Sequence, residues 1–296
     1  MGVNIDCLCI QGKGEIISNT ARLKREYTHE DNIKKIILIQ SLFRGYIFRE
    51  RLKENIKFQL LKKATNLSNN NSLKYNYIRQ LDINKIFEKY PKLKNFKDMN
   101  LILKPPYEFP SKRRIYYGEW KDNEIYGRGV QQWLDGSRYE GYFIDGKASI
   151  KGKLYHSNGD TYEGEWLNNK ANGHGLYIHV GGEYYDGDWK DDKQNGKGKE
   201  TWIDGSSYEG DYVLGKRYGY GIFKWPDGRK YQGDYKKDKK EGFGVFYWPD
   251  GRIFKGHWNN GKQHGEGEFY DPKKNIWKKG LWENGKNVRF FEENED

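Results

Sequence analysis

The chain has 296 residues with a formal net charge of +11, 16% aromatic residues, 36 glycines and two cysteines, Cys7 and Cys9. Two neighbouring cysteines cannot form the disulfide framework of a secreted domain, and the longest aliphatic run, Ile36 to Ile39, is too short to cross a bilayer, so we expect a cytoplasmic protein. All of the net charge lies in residues 1–114, which hold 24 Lys and Arg against 11 Asp and Glu, and this favours an acidic membrane surface or protein pocket over nucleic acid as the partner.

The first predicted element is an N-terminal tail, residues 1–29, with Gly2 close to both cysteines. This arrangement resembles proteins that are myristoylated on Gly2 and palmitoylated on nearby cysteines, where the second acyl chain makes a weak membrane attachment stable. Asp6 replaces the serine or threonine that is usual at its position. Gly2, Cys7 and Cys9 are therefore candidate lipidation sites, and an unmodified terminus is the alternative.

A basic helical region, residues 30–104, comes next, and its first helix is predicted over residues 30–64. Residues 39–49 match the IQ motif pattern Ile-Gln-x-x-x-Arg-Gly-x-x-x-Arg without a mismatch. The candidate binding residues are Ile39, Gln40, Phe43, Arg44, Gly45, Ile47 and Arg49.

The resemblance to IQ motifs implies a partner for this helix. Its apolar side chains would enter the cleft of calmodulin or a calmodulin-like light chain, and its arginines would meet the acidic rim of that cleft. By the same resemblance, Gln40 would hydrogen-bond a linker of the calmodulin lobe. The alternative is a basic helix packed on the end of the sheet described below.

The region between this helix and residue 115 has two further parts. After a polar break at residues 66–71, residues 72–98 are predicted to form one or two shorter helices interrupted by Pro91. Residues 105–114 contain Pro105, Pro106 and Pro110 and are predicted to be an extended linker.

A 23-residue period dominates the rest of the chain. The frame aromatic-x-Gly begins at Tyr116, Tyr139, Tyr162, Tyr185, Tyr208, Tyr231 and Phe254, which we number as repeats 1 to 7. A second aromatic, a Gly-x-Gly pair and an Asp-Gly turn follow in the same register, and Ile150 replaces the first glycine of the pair in repeat 2. A fixed period of this length indicates a repeat array in which each unit packs only on its neighbours.

Each repeat is predicted to be a β-hairpin. In Trp225-Pro226-Asp227-Gly228, proline and glycine favour a type I turn with a G1 bulge. By the period of two, Tyr231, Gly233 and Tyr235 share one face of the sheet, which we call the aromatic face. The opposite face, the acidic face, carries Glu140, Glu163, Glu165, Asp186, Asp188, Glu209, Asp211 and Asp234.

These columns resemble the MORN (membrane occupation and recognition nexus) family, whose consensus is close to Tyr-x-Gly-x-Trp, Gly-x-Gly and Asp-Gly. A degenerate eighth repeat, shifted by one residue so that its glycine is Gly280, completes an array over residues 115–287, and residues 288–296 form an acidic tail. The expected fold is mainly β: an elongated, twisted single sheet of MORN hairpins with an α-helical N-terminal extension.

No catalytic constellation is apparent in the sequence, so we expect no enzyme and no cofactor. The six histidines show no metal-ligand spacing beyond what the repeat imposes, and no phosphate-binding glycine motif is completed. The leading interpretation is a scaffold of the membrane skeleton, cell cortex or cilium, with cytoskeletal or axonemal partners and a candidate homodimer through the array.

Two alternatives to this interpretation remain. One is an axonemal component of the radial-spoke kind without lipid attachment. The other is a phosphoinositide-binding module acting through inter-repeat loop lysines such as Lys236, Lys237, Lys239 and Lys240.

Overall fold

The computed structural model describes residue 78 and residues 80–291, which belong to one compact unit, residues 51–296. The predicted lipidation sites and the IQ segment, residues 39–49, lie outside the described residues. The described part contains helix α1 (Ile83–Lys89), two 3-10 turns (Lys94–Phe96 and Pro110–Lys112) and 17 strands.

The strands alternate with short turns along the whole described array. The first nine are β1 (Ile102–Phe109), β2 (Arg114–Lys121), β3 (Glu124–Trp133), β4 (Arg138–Ile144), β5 (Lys147–Tyr155), β6 (Thr161–Leu167), β7 (Lys170–Ile178), β8 (Tyr184–Lys190) and β9 (Lys193–Thr201). The remaining eight are β10 (Ser207–Val213), β11 (Lys216–Lys224), β12 (Lys230–Lys236), β13 (Lys239–Tyr247), β14 (Ile253–Asn259), β15 (Lys262–Asp271), β16 (Ile276–Glu283) and β17 (Lys286–Phe290).

Strands β2 to β16 each pair antiparallel with the strand before and the strand after in the sequence, β1 pairs with β2, and β17 pairs with β16. The result is a single open sheet of 17 strands, and 64% of the described residues are in strands. The prediction of a mainly β single-sheet array of hairpins is therefore confirmed.

Two kinds of turn join the strands. At the Asp-Gly turns, as in β11 to β12, Gly228 has a φ of +91° and its N–H donates to Trp225 O at 3.1 Å. This is the type I turn with a G1 bulge that the sequence predicts. The turns at the other end, such as Lys237 and Asp238 with φ values of 50° and 70°, have two left-handed residues and fit type I′ geometry.

A β-bulge recurs after the first glycine of the repeat, and the tyrosine of the same repeat stabilises it. In repeat 6 the register shifts between Gly233 and Tyr235, and the Tyr231 hydroxyl donates to Asp234 O at 3.0 Å. A Cβ at Gly244 would collide with the Tyr231 ring, so glycine is required where that ring crosses the neighbouring strand. The same hydroxyl bond forms from Tyr116, Tyr139, Tyr162, Tyr185 and Tyr208.

The buried rings also connect successive repeats. Tyr231 packs edge to face on Tyr235 of its own repeat, with ring centroids 5.3 Å apart, and on Trp258 of the next repeat at 5.1 Å. Aromatic pairs of this geometry each contribute about 0.5–1.5 kcal/mol beyond the area they bury. Each repeat is thus tied to its neighbour by the same contact, as expected for an array.

Strand β1 differs from the sequence prediction at the start of the array. Residues 105–114 are predicted to be an extended linker, but Ile102 to Phe109 pair with β2 and Pro110–Lys112 form a 3-10 turn. The ladder is interrupted between Lys104 and Tyr107, which is where Pro105 and Pro106 lie. Proline lacks an N–H and is tolerated at such interruptions in an edge strand, so this segment is a strand of the sheet and not a linker.

The C-terminal end of the array follows the shifted eighth repeat. Gly280 pairs with Gly267, and Trp282 packs on Phe254 with centroids 4.9 Å apart, so the shifted residues take the regular glycine and aromatic places. Strand β17 then extends to Phe290 and crosses the predicted boundary at residue 287.

Candidate functional site: the two faces of the repeat sheet

The aromatic face carries the rings of the Asp-Gly hairpins. Trp202, Trp225 and Trp248 stand at equivalent positions of repeats 4 to 6 and are half-buried, and they pack on the buried rings beneath them. Trp225, for example, lies 4.4 Å from Phe223 and 5.6 Å from Phe246 between ring centroids. Half-buried tryptophans in a row are a surface suited to protein binding.

Lys240 lies within this face and not in a loop, which corrects the grouping of Lys236, Lys237, Lys239 and Lys240. It belongs to β13, and its Nζ lies 4.9, 5.0, 4.6 and 4.7 Å from the ring centroids of Trp225, Tyr231, Phe246 and Trp258. Burial, with the nearby charges of Arg229 and Arg217, lowers the pKa of Lys240 to about 8. Lys236 ends β12 and Lys239 begins β13, so of the four lysines only Lys237 lies in a turn, and these three are exposed.

Repeat 5 holds a similar cation. The guanidinium of Arg217 lies 5.6 Å from the ring centroids of Tyr208, Phe223 and Tyr235. Its Nε is 3.4 Å from Asp238 Oδ1. At these two positions of the aromatic face, a cation of the chain itself is surrounded by rings.

An open cleft of about 390 Å³ occupies the aromatic face at repeat 4. Its lining consists of Tyr177, His179, Glu183, Tyr184, Tyr185, Trp189, Gln194, Glu200 and Trp202. Glu200 is half-buried and accepts a hydrogen bond from the Tyr212 hydroxyl at 2.9 Å. Burial raises the pKa of Glu200, and the Tyr212 hydrogen bond and the Arg217 charge oppose that rise.

On the acidic face, one of the two acidic columns has a structural role. Asp234 Oδ2 accepts the Phe243 N–H at 3.2 Å, Asp188 Oδ2 accepts the Lys197 N–H at 3.0 Å, and Glu119 Oε2 accepts the Arg128 N–H at 2.7 Å. These amides lie beside the bulges, so the carboxylates satisfy donors that the bulge leaves free. These hydrogen bonds account for the carboxylates of this column without a bound ligand.

The end of the acidic face formed by β2 to β5 is covered by residues 78–101, which we call the cover. Ile78, Ile83, Ile86 and Phe96 from this segment are buried in one cluster with Val130 of β3. The predicted helices of residues 72–98 thus pack on the sheet in the part described, and Pro91 separates α1 from the 3-10 turn, as predicted.

Polar contacts fix the position of this cover. Lys89 Nζ lies 3.1 Å from Glu140 Oε1 and 3.6 Å from Glu163 Oε1, and the Tyr142 hydroxyl donates to Pro91 O at 2.6 Å. Glu140 is buried as a result. Glu140 therefore lies on the acidic face, as its place in the repeat predicts, but the chain's own helix covers that end.

The residues that hold the cover were missed in the sequence, although they leave a signal there. Tyr142 stands where other repeats have an acidic residue or histidine, and Ile150 stands where they have a glycine. Ile150 has a φ of +67°, which a β-branched residue avoids, and it packs against the cluster under the cover. Departures from the repeat consensus thus mark the docking site.

His174, on β7, lies near two carboxylates. His174 Nε2 is 3.1 Å from Asp186 Oδ1 and its Nδ1 is 3.4 Å from Asp188 Oδ1, on the acidic face. Within residues 78–291, apart from residue 79, no group of His, Cys, Asp and Glu is placed to hold a metal ion. No helix among these residues is long and apolar enough to span a membrane.

Comparison with known sequences decides the family. A MORN repeat profile matches residues 116–138, 139–161, 162–184, 185–207, 208–228, 231–251 and 254–276. The chain belongs to the MORN repeat family. The MORN array suggests a non-enzymatic repeat scaffold. A comparison with curated proteins finds no match.

Solved structures with similar sheets are remote from this MORN array. The TCP domain of Drosophila melanogaster SAS-4 (dCPAP), in complex with a proline-rich motif of Ana2 (dSTIL), is 12% identical, with 52% of this chain and 84% of that chain covered and a TM-score of 0.34. A mutant TCP10 domain of Danio rerio CPAP is 15% identical, with 66% and 99% covered and a TM-score of 0.31. At these TM-scores the likeness has no bearing on function.

Proposed function

We propose that this chain is a non-enzymatic scaffold whose MORN array binds protein partners along its aromatic face. The observation that carries this proposal is the difference between the two faces. Residues 78–101 cover one end of the acidic face, whereas the half-buried indoles of Trp202, Trp225 and Trp248 form a row on the opposite face. Large rigid rings with polar edges are the side chains that most often anchor a partner.

In this proposal the N-terminal region has two further tasks. The segment from Ile39 to Arg49 recruits calmodulin or a calmodulin-like EF-hand protein, supported by its match to the IQ pattern. The scaffold is attached to the membrane skeleton or to a ciliary structure, supported by the basic charge of residues 1–114 and by the candidate lipidation sites Gly2, Cys7 and Cys9. Without lipid, the same scaffold would be an axonemal component.

The test of the aromatic face uses the full chain in cells. Replacing both Trp225 and Trp248 by Ala should release the protein from the detergent-resistant cytoskeletal fraction, because the change removes two of the three indoles of the proposed binding surface. The control is Tyr220→Ala, which removes an exposed ring from the acidic face. Equal release by both variants, or by neither, would reject the assignment of the binding face.

The test of the N-terminal region separates recruitment from attachment. Full-length protein with Ile39→Ala and Gln40→Ala should bind calmodulin more weakly than the wild type, since both the apolar anchor and the positioning hydrogen bond are lost. Unchanged calmodulin affinity would reject the IQ assignment. In the same cells, Gly2→Ala should move a lipid-anchored protein to the soluble fraction and leave an axonemal component in place.

A further inference from the structure

We infer that the cleft at repeat 4 binds a cationic side chain, lysine or arginine, presented by a partner protein. This deepens the proposed scaffold function by naming the partner chemistry that one position of the aromatic face recognises. The argument compares three successive repeats of the same chain, since two of them hold an internal cation where the third has an open cleft.

Strand register shows which residues of the three repeats are equivalent. Lys240 pairs with Tyr235 in repeat 6, and Arg217 pairs with Tyr212 in repeat 5. Gln194 pairs with Trp189 in repeat 4. Gln194 therefore stands where the next two repeats place a cation among rings, and repeat 4 lacks a cation of its own.

A second substitution adds a negative charge at the same place. Phe246 pairs with Tyr231 in repeat 6, and Phe223 pairs with Tyr208 in repeat 5. The equivalent partner of Tyr185 in repeat 4 is Glu200. One wall of the ring cage is thus replaced by a carboxylate, while the aromatic walls from Tyr185, Trp189 and Trp202 remain.

The carboxylate of Glu200 is available for a cation. Its hydrogen bond comes from the neutral Tyr212 hydroxyl, and among the described residues it forms no ion pair within 4.0 Å. The charged groups that face it are Arg217 and His179, and His179 lines the same cleft. Glu183 also lines the cleft, so an anionic ligand would meet two carboxylates. A cation would gain both the carboxylate and the ring faces, since the face of an aromatic ring attracts a positive charge.

The size of the cleft fits a side chain and not a whole folded element. Its volume of about 390 Å³ lies at the lower end of the range for small-molecule sites, and it is open to solvent on one side. An open site admits a side chain from a partner's surface, which supplies the neighbouring contacts along the aromatic face.

The test is an NMR titration of the full chain labelled at the tryptophan indoles. The probes are N-acetyl-lysine methylamide and N-acetyl-arginine methylamide, each compared with sodium chloride at the same ionic strength. We expect both probes to shift the indole N–H signals of Trp189 and Trp202 and to leave those of Trp225 and Trp248 unchanged. N-acetyl-glutamate methylamide, the anionic counterpart, should shift none of them.

Two variants locate the site. Gln194→Lys should abolish the shifts, because a lysine there fills the cleft as Lys240 fills the cage of repeat 6. Gln263→Lys, which makes the same change at the equivalent position of repeat 7, should leave them intact. Glu200→Gln should weaken binding about tenfold, the usual effect of removing a charged hydrogen-bond partner.

The folding control follows from the electrostatics of Glu200. Since burial raises its folded-state pKa, the ionised carboxylate costs stability as the pH rises through that value. Glu200→Gln should therefore unfold at neutral pH no more easily than the wild type, so weaker binding cannot be attributed to unfolding.

Two results would overturn the inference: indole shifts no larger than those in sodium chloride, or unchanged shifts in Gln194→Lys. The probes are free small molecules, so either result leaves the cytoskeletal release experiment standing as a separate measure of the scaffold function.

Discussion

The acidic face differs between its two ends. Over β2 to β5, Val130 is fully buried beneath residues 78–101. Over β11 to β13, Tyr220 and Phe243 are 52% and 46% exposed. The layer beneath is the same at both ends, with a tyrosine crossing a glycine pair and donating to the bulge carbonyl. The repeat consensus therefore fixes the layer of tyrosines and glycine pairs, which we call the inner layer. The residues of the acidic face differ from one repeat to another.

The difference shows that residues which depart from the repeat consensus determine where another segment packs on the sheet. At the covered end, Tyr142 and Ile150 replace consensus residues and contact the covering segment. Ile150 keeps the left-handed backbone that glycine has in the other repeats, which costs about 1–2 kcal/mol for a non-glycine residue. The packing of its side chain in the covered cluster offsets that cost.

The largest expected effect comes from emptying the core of the cover. Ile86→Ala removes a buried side chain and should destabilise the cover by about 2–4 kcal/mol. Hydrogen exchange should rise in residues 83–101 and in β2 to β5, and remain unchanged from β8 onward. Lys85→Ala, at an exposed position of α1, is the control. A uniform rise along the sheet would contradict the separation of the two regions.

A matched glycine pair tests whether the inner layer is equivalent at both ends. Gly129→Ala and Gly244→Ala each place a methyl group against a tyrosine ring, so each should cost about 1–3 kcal/mol. Chemical denaturation of the two variants should give similar losses. If Gly129→Ala lowers the free energy of unfolding much less than Gly244→Ala, the inner layer is packed less tightly at the covered end. The two ends would then not share the same inner layer.

A matched tyrosine pair isolates the polar contact of the cover. Tyr142→Phe removes the hydrogen bond to Pro91 O and should cost about 0.5–1.5 kcal/mol. Tyr220→Phe removes an exposed hydroxyl from the uncovered end and should leave the unfolding midpoint unchanged. Equal effects of the two changes would mean that the Tyr142 hydroxyl does not hold the cover.

The smallest expected effect is at Ile150. Ile150→Gly relieves the left-handed strain but loses packing, so the net change in unfolding free energy should stay within about 1 kcal/mol. Gly219→Ile makes the reverse change at a φ of +59° on the uncovered end and should cost about 1–2 kcal/mol, because no cover packs on the new side chain. Thermal unfolding of both variants measures the difference, and a clearly stabilising Ile150→Gly would show that packing does not offset the strain.

The sequence predicted the array well because its signals are local. A 23-residue period, Asp-Gly turns and alternating Tyr-x-Gly columns determine strand, turn and face over a few residues. The pairing of Ile102 to Phe109 with β2 was not predicted. Two consecutive prolines, Pro105 and Pro106, usually indicate a segment outside a sheet, and the sequence alone does not show that this segment is an edge strand.

Much of the candidate site could not be predicted from the sequence of one repeat. The cage around Lys240 takes its rings from three consecutive repeats, and the contact of Lys89 with Glu140 joins residues 51 positions apart. Such contacts need the register of the strands and the path of the cover, which no single repeat contains. Tyr142, Ile150 and Glu200 differ in the sequence from the residues at the equivalent positions of the other repeats, but the effect of these differences depends on their neighbours in the sheet.

The tyrosine hydroxyls bonded to the bulge carbonyls have a consequence for enzymes that modify tyrosine. Burial raises the pKa of Tyr231 and of its counterparts, and each hydroxyl points into the repeat. A kinase can reach such an oxygen only after the ring leaves the glycine pair, which opens the repeat. In the folded array the chemically accessible tyrosines are the exposed ones, such as Tyr107, Tyr218 and Tyr220. Phosphate on Tyr231 would therefore record a chain that was modified while that repeat was open.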